Sequence, residues 1–176
     1  MLIFVSIHLL LLSFLSYHSY EIIQLSIKNQ NSLQQSNQQR ITAETALNAA
    51  ESRIEHNLIS NCNYKPQAID YFTSKDYSWW QSNRVCHIEH PDYHIAYVNE
   101  LLMSDPCALL QINNRNQMDN KRGVHIFRIS LRASNKLTHS VLFLKSYIAL
   151  PSTNSYCPEP NNRVYTKGRF AWTKTV

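Results

Sequence analysis

EIIQLSIKNQNSLQQSNQQRITAETALNAAESRIEHNLI, residues 21–59, contains no proline and no glycine, so nothing in it breaks a helix that enters from the residues before it. A helix of that length is not a globular core helix. Its middle, NQNSLQQSNQQ at 29–39, is apolar only at Leu33 and has no face to bury against a core of its own. That stretch is solvated, loosely helical or packed among other subunits. From Arg40 onward a period returns: Ala43, Leu47, Ala50, Ile54 and Leu58 step by 4, 3, 4 and 4, which is one face of a helix. Ala46 and Ala49 thicken the stripe with small side chains, and small side chains predict a helix lying tightly on a sheet.

Upstream, residues 2–15 read LIFVSIHLLLLSFL, apolar except at Ser6, His8 and Ser13. A helix of about 15 residues rises about 22 Å, short of a hydrocarbon core of about 30 Å. Three readings compete: a transmembrane anchor, the apolar region of a signal peptide, and a span whose start lies upstream. A signal peptide wants a basic start and a small-x-small cleavage site, whereas no Lys or Arg precedes Lys28 and the run is followed by SYHSY at 16–20. An anchor also wants a basic flank, which leads us to expect a basic leader ahead of Met1. The expected organisation is a transmembrane and assembly segment at 1–20, the remainder of a long helix at 21–59, and an extracytoplasmic β-rich head at 60–176.

In the head, the stretch after Gly123 alternates. Phe127, Ile129, Leu131 and Ala133 fall on one side, and Arg128, Ser130 and Arg132 on the other, the period of a half-buried strand. Leu142, Leu144, Ile148 and Leu150 form the inner set of a second strand, with Lys145 and Tyr147 expected to point outward. Ser134, Asn135 and Lys136 supply turn chemistry between them. Tyr93, Ile95 and Tyr97 mark a third strand, and residues 168–173 a short edge strand. The expected fold is α+β: an antiparallel sheet of about three to four strands whose apolar face is covered by the helix stripe. Residues 61–84, 113–122 and 151–167 read as long loops.

Charged residues make up 16% of the chain and the formal charge is +5, spread along its length, so no basic stripe for nucleic acid is present. Two glycines leave no phosphate-cradling loop and no nucleotide fingerprint, and no cofactor is expected. No serine sits in a glycine-flanked elbow and the head's acids are scattered, so the chain does not read as an enzyme. Cys62, Cys86, Cys107 and Cys157 all follow the apolar start without C-x-x-C spacing, which argues for two disulfides outside the cytoplasm. Sequential pairing, Cys62 with Cys86 and Cys107 with Cys157, closes short loops and is the pairing expected among the three connectivities open to four cysteines.

Two further clusters invite chemical readings. In CHIEHPDYH, residues 86–94, His90 and His94 would share a helix face, but Pro91 lies between them and argues against a helix. A surface loop is therefore favoured over a metal site. Trp79 and Trp80, with Tyr71, Phe72 and Tyr77 nearby, offer a partner surface because interface hot spots favour Trp and Tyr. The competing reading is ordinary packing of these rings over the helix stripe.

Three motifs together resemble the PilX-type minor pilins of type IV pilus machinery. AETALNAAE at 43–51 is similar to that family's A-E-x-A-L-x-x-A-E helix signature. PDYHIAY at 91–97 is similar to its P-x-Y-x-I-E-Y strand, with Ala96 where the family often has Glu. FRISLRA at 127–133 followed by SVLFLKSY at 140–147 is similar to its F-R-I-T-A hairpin ending in V-V-x-L-Q-S-x-Y. The resemblance implies a pilin-like fold and a structural role in pilus assembly at the fibre tip. It implies as partners other minor pilins, the major pilin, the bacterial inner membrane and a large tip adhesin, in attachment or twitching motility. A prepilin peptidase site is not found, and no acid precedes Glu21. Ordinary pilins carry an early Glu in that helix, whereas PilX-type pilins and K-type pseudopilins do not. The rival expectations are a secreted disulfide-bonded binding module with a cleaved signal peptide, and a minor pseudopilin of type II secretion.

Overall fold

The computed structural model describes residues 2–56, 62–111, 118–152, 157 and 163–175. Its elements are α1 (Leu2–Glu55), β1 (Asn63–Tyr64), α2 (Tyr77–Trp80), β2 (Cys86–Ile88), β3 (Tyr93–Gln111), β4 (Met118–Asn135), β5 (Val141–Pro151), β6 (Val164–Thr166) and β7 (Gly168–Thr175). The chain divides into two compact units, Met1–Gln39 and Arg40–Val176.

Four long strands form the antiparallel heart of the second unit in the order β3-β4-β5-β7, with β1, β2 and β6 each paired to β3. The hairpin read from the alternating runs is present, and its strand continues through Asn135 before turning. The Asn135 side-chain oxygen accepts from the backbone of Leu137 at 2.8 Å and Thr138 at 3.0 Å. That local bond replaces the next ladder bond and ends the strand. In β3 the register shifts after Leu101 and again between Asp105 and Leu109. Pro106 has no N–H to give the ladder, and Asp105 accepts from the backbone of Cys107 and Ala108 at 3.0 and 3.1 Å.

One sheet face meets the helix. Ala43, Ala46, Leu47, Ala50 and Ile54 are buried with Tyr93, Ile95, Tyr97, Ile129, Leu131, Ala133, Leu142, Leu144, Ile148 and Leu150. The alanines let the helix backbone approach the strands, and Leu47 fills the space between them. Ala49, expected in the stripe, is exposed, because it lies a step off the 4-3-4 face. Leu58, the last member expected, lies outside the described residues.

The opposite face is the main departure from expectation. Arg128, Ser130, Arg132 and Lys145 were read as solvent-facing, yet they are 3%, 2%, 8% and 2% exposed. The segment between β1 and β2, expected to be a loop, lies over them. Phe72, Trp80 and Val85 pack there with Ala96 and Val98, and Tyr64, Trp79 and Phe143 adjoin. Alternation reports which side a residue takes, while what covers that side is decided by chain distant in sequence. A third, smaller cluster of Ala108, Leu110, Val124, Ile126 and Ala149 closes the far end of β3 and β4.

Candidate functional site

Within Met1–Gln39 the surface is the feature. Ile3, Phe4, Leu10, Phe14 and Leu15 are between 62% and 80% exposed, and Ile22, Ile23, Leu25 and Ile27 extend the apolar surface past the predicted end at Leu15. Ser6 donates to the Ile3 carbonyl at 3.0 Å and Ser13 to the Leu9 carbonyl at 2.8 Å. Both hydroxyls are thereby satisfied within the helix, which is the condition for facing hydrocarbon. Counted to Tyr20 the helix rises about 28 Å, and by length and composition it is long and apolar enough to cross a membrane.

From Arg40 on, the helix is fastened to the head by polar contacts as well as the alanine seat. The Arg169 guanidinium, at the start of β7, lies 2.8 and 2.9 Å from the two carboxylate oxygens of Glu51 and reaches the Asn48 side chain at 2.5 Å. Ser146 donates to the same Glu51 carboxylate. Lys167 pairs with Glu55 at 2.6 Å. Glu51 belongs to the helix motif read from the sequence, but its partners come from β5 and β7, about a hundred residues downstream, and no local pattern points to them. An apolar helix followed by a helical half packed on an antiparallel sheet is a pilin-like architecture.

Two disulfides brace the head. Cys62 joins Cys86 with Cα atoms 5.5 Å apart, and Cys107 joins Cys157 at 4.9 Å. The first ties the segment entering β1 to β2, and so holds down both ends of the aromatic cover. The second tethers the run before β6 to the irregular part of β3.

Trp80, for which a partner surface and ordinary packing over the helix stripe were both open, is 1% exposed. Its ring is enclosed by Phe72, Trp79 and Phe143 at centroid distances of 6.5, 5.2 and 6.0 Å. Asp76 caps the turn by accepting from the Trp79 backbone at 3.1 Å, which turns Trp80 inward. Trp79 is half-buried against Tyr64 and Phe72. The pair is a cover for the sheet, and it covers the face away from the helix stripe.

Buried charge lies beneath that cover. Arg128 donates through Nε and Nη2 to the two oxygens of Glu100, at 2.6 and 2.8 Å, and through Nη2 to the Gln67 carbonyl at 2.6 Å. The Gln67 backbone N–H donates back to Glu100 at 2.8 Å. The Glu100 hydrogen bonds hold the guanidinium above its ordinary pKa. Lys145 pairs with Asp70 at 3.1 Å. These residues were not singled out beforehand; the available signal was Arg128 and Arg132 spaced along an otherwise apolar strand.

The histidines of the 86–94 stretch are dispersed. His87 lies 3.3 Å from the Ser82 carbonyl, His90 accepts from the Asp92 backbone at 3.2 Å, and His94 meets the Tyr77 ring at 5.9 Å. Among the described residues no three His, Cys, Asp or Glu side chains converge on one point. No family model matches the sequence, and no curated protein or solved structure is significantly similar to it.

Proposed function

We propose that this protein is a minor pilin of the PilX type, acting in type IV pilus assembly at the fibre tip as a structural and interaction subunit rather than an enzyme. The observation that carries the reading is α1: 54 residues of unbroken helix, apolar and exposed at one end, seated by alanines on a disulfide-braced sheet at the other. An exposed apolar helix of this kind is stable only in lipid or against other helices. A fibre built from such helices offers the second environment as the subunit leaves the first. The polar stretch around Leu33 then needs neighbours rather than a core of its own.

In this reading the helix burial drives assembly and the head provides specificity. The motifs at 43–51, 91–97 and 127–147 favour the PilX type over other pilin-like subunits. In this reading the subunit belongs to a priming complex of minor pilins on which the major pilin grows. The localisation that follows is the bacterial inner membrane, with the head in the periplasm, and then the assembled pilus.

Mass spectrometry of the N-terminal peptide, from membrane and sheared-fibre fractions of the native cell, tests this. The expected result is an N-methylated residue at the head of the apolar helix in both fractions. A soluble protein beginning near Tyr20 would overturn the reading in favour of a secreted binding module.

A further inference from the structure

The covered face of the sheet carries three buried cations, and their partners differ. Arg128 has the Glu100 carboxylate and Lys145 has Asp70. Arg132, between them in sequence and 8% exposed, has neither. Its Nη1 donates to the Ser134 hydroxyl at 3.2 Å, and its guanidinium lies 5.0 Å from the centroid of the Tyr77 ring. No described carboxylate pairs with it. A charge removed from water without a counter-ion is costly, and burial accordingly pushes this guanidinium below its ordinary pKa.

Arg132 does not point into closed core. It lines a cleft of about 250 Å³ with Tyr77, His94, Ser134, Lys136 and His139. No Asp or Glu borders that cleft. The walls are held in place by other bonds. The Lys136 ammonium is fixed by the His90 and Pro91 carbonyls at 2.9 and 2.7 Å, both neutral acceptors that leave its charge uncompensated. His139 holds a left-handed backbone at φ 58°, a conformation that costs energy for a residue with a side chain. Glu89 borders only the adjoining lobe.

We propose that this cleft is a binding site for a carboxylate group, gripped by the Arg132 guanidinium. A planar guanidinium with most of its N–H donors unused by the described residues matches a carboxylate in two parallel hydrogen bonds. Tyr77 holds the plane of the fork from one side and Ser134 fixes one of its edges. The volume admits a single acidic group such as a uronic acid or the side chain of a glutamate, two sources of the same chemistry. The site stands independently of the role in pilus assembly.

The test is a thermal-melting titration of the full-length chain in detergent micelles at constant ionic strength. The probes are sodium glucuronate, N-acetyl-glutamate amide and inorganic phosphate, on wild type and on Arg132→Met. A saturable rise in melting temperature with one or both carboxylates is expected, with the apparent affinity weakened at least about tenfold in Arg132→Met. Glucuronate acting alone would indicate a saccharide source, and the glutamate derivative acting alone a protein source. Should Arg132→Met not fold, Arg132→Lys keeps the charge and loses the fork, and the same weakening is expected there. A saturable response to phosphate alone, no saturable response to either carboxylate, or an undiminished response in the variant overturns the proposal.

Discussion

Glu51 and Arg169, 118 residues apart in sequence, meet through two hydrogen bonds of 2.8 and 2.9 Å and join the helix to the start of the last strand. Glu51 is the final residue of the helix motif, and Arg169 follows Gly168, whose φ of 92° sets the turn out of β6. Arg169→Ala is expected to lower the stability of the head by about 1 kcal/mol, the range for a partly exposed bidentate pair. Glu51→Ala also strands the Ser146 hydroxyl and is expected to cost more than Arg169→Ala. Urea unfolding of the full-length protein in detergent, followed by tryptophan fluorescence, gives both values; equal stability in all three proteins would show that the pair contributes nothing.

The Glu100–Arg128 pair is buried on both sides, with side chains 0% and 4% exposed. Removing one partner leaves an uncompensated charge, so Glu100→Leu or Arg128→Met alone is expected to cost about 3–5 kcal/mol. The double replacement Glu100→Leu with Arg128→Met is expected to recover most of that loss. A double-mutant cycle read by the same unfolding assay checks it, and strict additivity would remove the coupling.

The alanine seat has no spare volume. Ala50 is 0% exposed in the helix-to-sheet core, and Ala50→Leu forces the helix off the sheet at a cost of about 1–3 kcal/mol. Leu47→Ala at the same interface leaves a cavity and costs about 2–5 kcal/mol. Ala49→Leu, on the exposed side, is expected to change stability by less than about 0.5 kcal/mol. Thermal melts of the three variants should fall in that pattern, and an equal penalty at Ala49 would place the seat elsewhere.

Burial lowers the pKa of His125 from its ordinary value. The unfolded chain therefore takes up a proton at a higher pH than the folded one. Stability from this group is complete above the unfolded value of about 6.5. It falls as the pH drops below that value and levels off beneath the lowered folded value, by at most about 1.4 kcal/mol per pH unit. His125→Phe is expected to flatten the stability profile between pH 7 and 5. An unchanged slope in the variant would exclude His125 as its source.

Reduction of the two disulfides is expected to loosen the head unequally. Their sequence separations of 24 and 50 correspond to about 3 and about 4 kcal/mol of chain entropy. Replacing Cys62 and Cys86 with serine is expected to release the aromatic cover, raising hydrogen exchange at β1 and α2. Replacing Cys107 and Cys157 is expected to raise exchange at β6. Identical exchange patterns in the two double variants would contradict this division.

Much of the architecture was legible because it rests on short-range rules. An unbroken helix is written by the absence of proline and glycine as far as Glu55, the helix face by the spacing of Ala43, Leu47, Ala50 and Ile54, and the central hairpin by alternation on either side of Asn135. Each depends on residues within a few positions of one another. The second sheet face was not legible. Nothing local shows that Phe72 and Trp80 fold over Arg128, Arg132 and Lys145, because a strand's polar side looks the same in sequence whether water or another segment meets it. The sequence by itself therefore determined an apolar helix, its seating stripe and the strands that receive it. Only the tertiary structure decided that Trp80 is core, that Arg128 and Lys145 find their acids in Glu100 and Asp70, and that Arg132 finds none among the described residues. Pairing of buried charges depends on where distant segments come to rest, and burial is what makes an unpaired charge matter.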